Sequence, residues 1–381
     1  MVGRVRDRLL EDGGSTSPTS SRLAAAVRAE GRVLGDQAIL ATLGVLRAEL
    51  EGAGPLSALL TDPSVTDILV NGPDEVWVDQ GAGLIRTGVR FTSEAAVRQL
   101  AQRLAATAGR RLDDASPWCD LRLPAGVRLH AVLPPVSRHG TVLSLRVPAR
   151  RPWTVDELER SGTLGPIGRQ LLVDLVDARR SFLVSGGTGT GKTTVLATLL
   201  GLVAHDERIV LVEDLPELVP DHPHVVSLVG RPANIEGAGE VTVRDLVRQA
   251  LRMRPDRLVV GECRGAEVVD LLAALNTGHQ GGCGTVHANS AVDVPTRLEA
   301  LGVAAGLSRE ALHAQLASAV DVVLHLERSA SGARVLTEVA VLERDRDGLV
   351  VARPALVRES GDLHEAAHAT RLADRLAGAG R

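Results

Sequence analysis

Three potential metal ligands, His279, Cys283 and His287, lie four residues apart in the segment "TGHQGGCGTVHANS". On a helix this spacing would place all three on one face, as a zinc site requires. The segment also contains several glycines, and each costs roughly 1 kcal/mol against alanine inside a helix. We therefore expect a loop that runs into a short strand around Thr285 and Val286. A metal site is disfavoured because no fourth ligand or CxxC pair lies nearby.

A second glycine-rich segment, "GGTGTGKTT", contains Lys192, the only lysine among the 43 basic residues of the chain. It follows an apolar run, Phe182–Val184, that predicts a buried strand, and it leads into a predicted helix, Thr193–Leu200. A strand, a G-x4-G-K-[ST] loop and a helix together form a phosphate-binding loop, in which backbone N–H groups surround the phosphates. We expect a nucleoside triphosphate to bind at nine residues: Gly186, Gly187, Thr188, Gly189, Thr190, Gly191, Lys192, Thr193 and Thr194.

Within this loop, three side chains have distinct expected roles. Lys192 would place a compact ammonium group between the β- and γ-phosphates, where the broad guanidinium of arginine fits poorly. Thr193 would bind Mg²⁺, and Thr194 would lie near the α-phosphate. The predicted ligands are therefore a nucleoside triphosphate and Mg²⁺.

Acidic residues follow two further apolar runs. Glu262 ends the predicted strand that contains Leu258–Val260, and Glu213 follows the apolar part of "RIVLVEDLPEL". Ligands bind at the carboxyl ends of parallel strands, so both carboxylates should lie at the nucleotide. We expect Glu262 to orient the attacking water and Glu213 to face the metal and nucleotide. Glu217 either contributes there or caps the following segment.

The order of these motifs resembles the secretion ATPase superfamily, the motors of type II secretion, type IV pili and type IV secretion. In that family the glycine-rich segment is the Walker A motif, Glu213-Asp214 belongs to the Asp box, and Gly261-Glu262 to the Walker B motif. The first segment is then the His box, and the resemblance implies that His279 and His287 face the nucleotide and couple its phosphate state to domain movement. Cys283 stands where the family more often has a small or apolar residue.

The segments "LRMRPDRLVVGECRG" and "VTDILVNGPDEVWVD" are similar to one branch, the tight-adherence (Flp) pilus ATPases of the CpaF/TadA type. The resemblance covers roughly residues 50 to 330. It implies a cytosolic homohexamer that hydrolyses Mg-ATP to power pilus assembly or secretion through inner-membrane platform proteins, and that is held at the inner face of the membrane by these partners. A conjugation or type IV secretion traffic ATPase is the alternative within the family.

The fold class expected is α/β, with a C-terminal RecA-like P-loop domain and a smaller N-terminal α/β domain. We divide the chain into a helical extension (1–50), the N-terminal domain (51–147), a linker (148–160), and the ATPase domain with its tail (161–381). In the N-terminal domain Ser93 is the predicted N-cap of a helix, and strands are predicted in "VTDILVN" and "EVWVD".

Arginines of the N-terminal domain are candidates for charge stabilisation. Arg128 and Arg146 lie on predicted strands before the linker. The resemblance implies that such arginines swing over the γ-phosphate when the domains close. Arg111 and Arg122 are weaker candidates, and Arg252 lies on a predicted arginine-bearing helix face.

The charge balance argues against stable binding of nucleic acid. The net charge is −4 and aromatic residues make up 1% of the chain, which leaves few cationic or stacking surfaces. Without an Asn-Lys-x-Asp motif a GTPase is disfavoured, and nothing resembles the lid of a small-molecule kinase. A nucleic-acid motor on the same core and a regulatory module that binds ATP with little turnover remain open alternatives.

Overall fold

The computed structural model describes residues 52–81, 83–123, 126–148, 151–231, 233, 238–278, 280–329 and 332–377. They form two compact units that divide between residues 150 and 151. The helix predicted within residues 1–50 lies outside the described residues. None of the described helices combines the length and apolar character needed to cross a membrane.

The first unit is an antiparallel sheet with a long helix. Its strand order is β3-β2-β1-β6-β5-β4. The strands are β1 (Asp67–Gly72), β2 (Glu75–Asp79), β3 (Leu84–Arg86), β4 (Trp118–Arg122), β5 (Arg128–Val132) and β6 (Val142–Arg146). The helices are α1 (Ser57–Thr61), which follows a 3₁₀ turn at Gly54–Leu56, and α2 (Glu94–Thr107).

Alternation of apolar and polar residues fixes which face of this sheet is covered. Ile68 and Val70 of β1 are buried, whereas their neighbours in the strand are not, because successive side chains point to opposite faces. Helix α2 supplies Leu100 and Leu104 to the same core. Its N-terminus is capped as predicted: the Oγ of Ser93 accepts a hydrogen bond from an N–H of the first turn.

The second unit is built on a nine-stranded sheet of order β15-β14-β13-β12-β7-β11-β10-β8-β9. The strands are β7 (Phe182–Gly186), β8 (Ile209–Glu213), β9 (Val225–Val229), β10 (Arg257–Cys263), β11 (Cys283–Val286), β12 (Val322–Arg328), β13 (Arg334–Arg344), β14 (Val350–Glu359) and β15 (Asp362–Glu365). Strands β12, β7, β11, β10, β8 and β9 run parallel, and β13 to β15 extend the sheet in antiparallel pairs.

Helices cover both faces of this sheet. Phe182 and Val184 of β7 belong to one apolar core, whereas Leu183 belongs to the other, so the central strand is buried on both sides. The first core contains residues from α3 (Val155–Arg160), α4 (Pro166–Asp177), α5 (Lys192–Leu200) and α10 (Ala369–Ala377). The second contains residues from α6 (Val243–Ala250), α7 (Glu267–Leu275), α8 (Val294–Ala304) and α9 (Arg309–Ala319).

Helix α3 lies within the range that the sequence indicated as a linker. Thr154 and Glu157 form a capping box at its start, and Val155 and Leu158 are buried in the core of the second unit. The apolar anchors explain why this short segment is a helix that packs in the core of the second unit.

Candidate functional site

The glycine-rich segment forms a loop between β7 and α5. Gly186 has a φ of +148°, and a Cβ at this position would lie 2.3 Å from the carbonyl oxygen of Leu326 in the neighbouring strand. Only glycine fits there. Thr190 closes the turn, because its Oγ1 donates a hydrogen bond of 3.0 Å to the carbonyl of Gly187. The predicted strand, loop and helix are all confirmed, with the helix beginning one residue earlier than expected, at Lys192.

Lys192 points back into this loop. Its Nζ donates hydrogen bonds of 3.0 Å to the carbonyl of Gly186 and 2.8 Å to that of Gly187, and the residue is only 7% exposed. A phosphate oxygen carries more negative charge than a backbone carbonyl, so it would be a stronger acceptor for the same ammonium group. The loop therefore holds its one lysine where a phosphate chain would meet it, at the N-terminus of α5.

Thr193 and Thr194 occupy the first turn of α5 and are half-buried. Hydroxyl and carboxylate oxygens suit Mg²⁺, which usually keeps several waters and takes one or two protein ligands together with phosphates. Thr193 and Glu213 line the same cavity of about 490 Å³. These two residues fit the ligand set expected of a nucleotide-bound magnesium ion.

Glu213 also has a structural role that the sequence did not indicate. It is the last residue of β8 and is 3% exposed. Its Oε1 accepts hydrogen bonds from the backbone N–H groups of Glu217 (2.9 Å) and Leu218 (3.0 Å). The side chain also packs on Gly261, where a Cβ would lie 2.7 Å from its Cγ. One carboxylate oxygen of Glu213 thus shapes the loop after β8, and Glu217 contributes its backbone to this turn.

Glu262 and His287 meet at the carboxyl ends of β10 and β11. The Nε2 of His287 lies 2.8 Å from Oε1 of Glu262, and Arg264 binds Oε2 of the same carboxylate. Burial and the charge of Lys192 lower the pKa of His287, although Glu262 opposes them. At neutral pH the imidazole is therefore uncharged, and its Nε2 lies against the carboxylate without the alignment of a hydrogen bond.

This pairing depends on the parallel sheet. Strand β11 lies between β7 and β10, so the residue after β11 stands between the phosphate loop and the end of β10. Thr285 strengthens the junction, since its Oγ1 donates a hydrogen bond of 2.6 Å to the carbonyl of Gly261. The strand predicted around Thr285 and Val286 is confirmed as β11. His279, the other predicted histidine, lies outside the described residues.

Cys283 is a packed residue of β11. It is fully buried, and burial raises the pKa of its thiol to about 12. The thiol is thus neutral and inert at physiological pH, as expected of a buried apolar position.

In the first unit, Arg128 and Arg146 are directly opposite each other on β5 and β6, and Arg122 is opposite Arg128 on β4. Arg146 is in turn opposite Asp67 of β1, so the row of three cations ends next to a carboxylate. Arg111 lies outside this row, and its Nε is 2.5 Å from Oδ2 of Asp113.

The arginines of α6 are partly used inside the second unit. Arg244 and Arg248 donate hydrogen bonds of 2.7 and 2.8 Å to the carboxylate of Asp270 on α7. Arg252 follows in an exposed 3₁₀ turn, Leu251–Met253. Arg244 and Arg248 therefore connect α6 to α7 within the second unit.

The sequence analysis did not identify two pairs of buried polar residues. Ser185 and His325 hydrogen-bond directly beside the phosphate loop, and Glu207 and Arg257 form an ion pair at the opposite ends of the strands. A polar residue inside an apolar run, such as His325 in "DVVLHLE", is the one signal that could have indicated the first pair. Neither partner could be identified before strand order was known.

Comparison with known proteins agrees with this geometry. Residues 49–367 match the family described as type II/IV secretion system protein. A putative conjugal transfer protein of Mycobacterium tuberculosis is 61% identical over 328 residues, which cover 84% of this chain and 92% of the relative. A type IV secretion system PtlH homologue of Bordetella bronchiseptica is 34% identical over 303 residues, covering 72% of this chain and 89% of the relative.

Among solved structures, the pilus retraction motor PilT with bound ADP aligns with a TM-score of 0.52 at 19% identity, covering 84% of each chain. At this identity the likeness concerns the fold, and it confirms the predicted RecA-like α/β architecture. The family match and the two relatives, taken together with the phosphate loop and the strand-end acids, establish that the chain belongs to the type II/IV secretion system protein family.

Proposed function

We propose that this chain hydrolyses Mg-ATP as one subunit of a ring-shaped motor of a conjugation or type IV secretion system. The observation that carries the proposal is the convergence of Lys192, Glu213, Glu262 and His287 at the carboxyl edge of one parallel sheet. A nucleotide held by the loop would have its γ-phosphate facing these side chains.

The chemistry follows from their positions. Lys192 would bind the β- and γ-phosphates and offset their charge, while Thr193 and Glu213 would hold a Mg²⁺ ion able to neutralise charge on the phosphates. Glu262 orients the attacking water by accepting a hydrogen bond from it. His287 lies against Oε1 of Glu262 and limits the positions that the carboxylate can take. His279 is proposed to face the nucleotide from the loop before β11.

Arg128 and Arg146 would complete the site by neutralising negative charge on the γ-phosphate when the first domain closes. Arg128 supports this role most directly, because it lies between two other arginines and an approaching anion would relieve their repulsion. We also propose the domain boundaries predicted from the sequence, with residues 148–160 as the linker between the two domains.

The relatives indicate which secretion system this motor would serve. The names of the Mycobacterium and Bordetella proteins refer to conjugal transfer and type IV secretion, which favours a conjugation-type traffic ATPase over a tight-adherence pilus ATPase. The proposed partners are other copies of this chain, as a homohexamer, and the inner-membrane platform proteins of such a system. The site of action would be the cytoplasmic face of the inner membrane, reached through these partners.

The test is ATPase turnover as protein concentration rises, with mass followed by light scattering in ADP and in a non-hydrolysable ATP analogue. Turnover per chain should climb as a six-fold species assembles, and the Glu262→Gln variant should assemble without turnover. Full activity from a monomer would contradict the ring motor. Tight, ATP-dependent retention of single-stranded DNA on a filter at moderate salt would instead support a nucleic-acid motor.

A further inference from the structure

A buried histidine that the proposed chemistry does not use lies beside the phosphate loop. His325 is a residue of β12, is 1% exposed, and stands in register with Ser185 of β7. Its Nδ1 lies 2.8 Å from Oγ of Ser185, which is itself fully buried. Ser185 immediately precedes Gly186, whose carbonyl accepts from Lys192. One nitrogen of the ring is therefore tied to the base of the phosphate loop.

The other ring nitrogen has no such partner. Within the described residues, Nε2 of His325 is buried and makes no hydrogen bond of normal geometry. It is 3.6 Å from Oε1 of Glu327. The backbone of Asn289 is close enough to the ring to favour its protonated form. Asn289 follows His287 by two residues, so the ring lies close to the segment 287–289, the His287 arm.

Electrostatics fix the form of the ring. Burial, the largest influence, lowers the pKa of His325, and Lys192 acts in the same direction, while Glu327, the backbone of Asn289 and Asp293 raise it. Glu338, opposite His325 on β13, has its pKa raised by burial and by Glu327. A neutral ring carries a single N–H. The hydroxyl of Ser185 has one proton and lies 2.8 Å from Nδ1 but 3.5 Å from the carbonyl of Leu324, so it donates to Nδ1 and the ring proton lies on Nε2.

We propose that His325 is a positioning residue that links the phosphate loop to the His287 arm, accepting from Ser185 at Nδ1 and packing beside the backbone of Asn289. The inference rests on the proposed ATP hydrolysis. The linkage keeps His287, and through it Glu262, aligned with the phosphates bound at Gly186 and Lys192. Because it aligns the hydrolytic side of the site, it governs turnover and leaves nucleotide affinity unchanged.

The experiment measures turnover and the Kd for a fluorescent ATP analogue in full-length protein. Three variants distinguish the two ring nitrogens of His325. His325→Asn places a polar atom near the position of Nδ1, His325→Gln places one near that of Nε2, and His325→Leu places none at either. We expect each to lower kcat roughly tenfold or more, as small misplacements of catalytic groups do, with Kd within about twofold of wild type. Ser185→Ala, the mildest change, should lower kcat in the same way.

A matched control is His313, another buried histidine of the second unit. It is 3% exposed, accepts from the N–H of Val350 at Nδ1 and lies 3.0 Å from Glu299 at Nε2, all away from the phosphate loop. His313→Asn should lower the melting temperature while leaving kcat near wild type. If the His313 and His325 variants lost kcat equally, and in proportion to their loss of melting temperature, His325 would act only through packing. That result would overturn the proposal.

A double-mutant cycle tests the linkage itself. If His325 acts through His287, combining His325→Leu with His287→Ala should lower kcat by less than the product of the single effects. Losses that multiply would overturn the linkage, as would wild-type turnover in a folded His325→Leu protein. A wild-type chain that binds ATP without hydrolysing it would contradict the proposed function instead.

Discussion

The imidazole of His287 lies 2.8 Å from the carboxylate of Glu262, although Glu262 is on β10 and His287 directly follows β11. The contact joins the His-box segment to the acid expected to orient water. Two separate sequence motifs thus belong to one site.

The pKa of His287 should lie below its ordinary value of 6.5, because burial and Lys192 disfavour its charged form. Glu262 raises this pKa, so Glu262→Gln should lower it further. NMR titration of the imidazole resonances measures both values. Since the folded pKa is depressed, His287 costs stability as pH falls from 6.5 through the folded pKa. Glu299→Gln, which removes a partner of His313, serves as a control and should leave the His287 pKa unchanged.

Glu262→Gln should reduce turnover by roughly 10²- to 10⁴-fold, the usual contribution of a positioned general base. Glutamine retains the size of the side chain and loses its charge. Nucleotide binding, measured by fluorescence titration, should persist because the phosphate loop is unaltered. A variant that turned over at more than about half the wild-type rate would show that another group orients the water.

Lys192→Arg should abolish tight ATP binding, even though arginine occupies every other basic position of the chain. The Nζ fits between the carbonyls of Gly186 and Gly187 in a buried site, and a planar guanidinium is too broad for that space. Isothermal titration measures the affinity, and circular dichroism checks the fold. Retention of wild-type affinity would argue against the role assigned to the ammonium group.

Arg128→Ala should lower turnover at least about tenfold and leave ADP affinity unchanged, because the missing charge would act only on the γ-phosphate. Arg111→Ala is the matched control, since Arg111 already pairs with Asp113 at 2.5 Å. Steady-state kinetics and ADP titration separate the two effects. Similar kinetics in both variants would remove Arg128 from the site.

Arg257→Met should destabilise the second unit by roughly 1–3 kcal/mol, the cost of leaving a buried group without its main partner. Arg257 is 2% exposed, and its Nε donates a hydrogen bond of 2.7 Å to Glu207, which keeps Arg179 at 3.1 Å. Denaturant unfolding at pH 7 measures the loss. Adding Glu207→Leu to the same protein should recover part of it, because only the half-exposed Arg179 then loses a partner. A double variant no better than the single one would contradict this explanation.

The same pair predicts an acid dependence of stability. Burial alone would raise the pKa of Glu207, but hydrogen bonds and charge from Arg257 and Arg179 outweigh it and hold the pKa below the ordinary 4.5. The stabilisation is therefore complete above pH 4.5 and is lost as pH falls through the lower folded pKa. Unfolding curves at several acid pH values should show a smaller acid-induced loss in Arg257→Met than in wild type.

The sequence by itself determined the phosphate loop, because a strand, a glycine loop and a helix N-terminus are contiguous and act mainly through backbone groups. It also determined Glu213 and Glu262, since acids that follow buried runs must emerge at the carboxyl edge of a parallel sheet. Only the tertiary structure decided which side chains meet. The strand order β12-β7-β11-β10 brings His325 to Ser185 and His287 to Glu262. Such pairs join distant segments, and no local pattern encodes the order in which strands assemble.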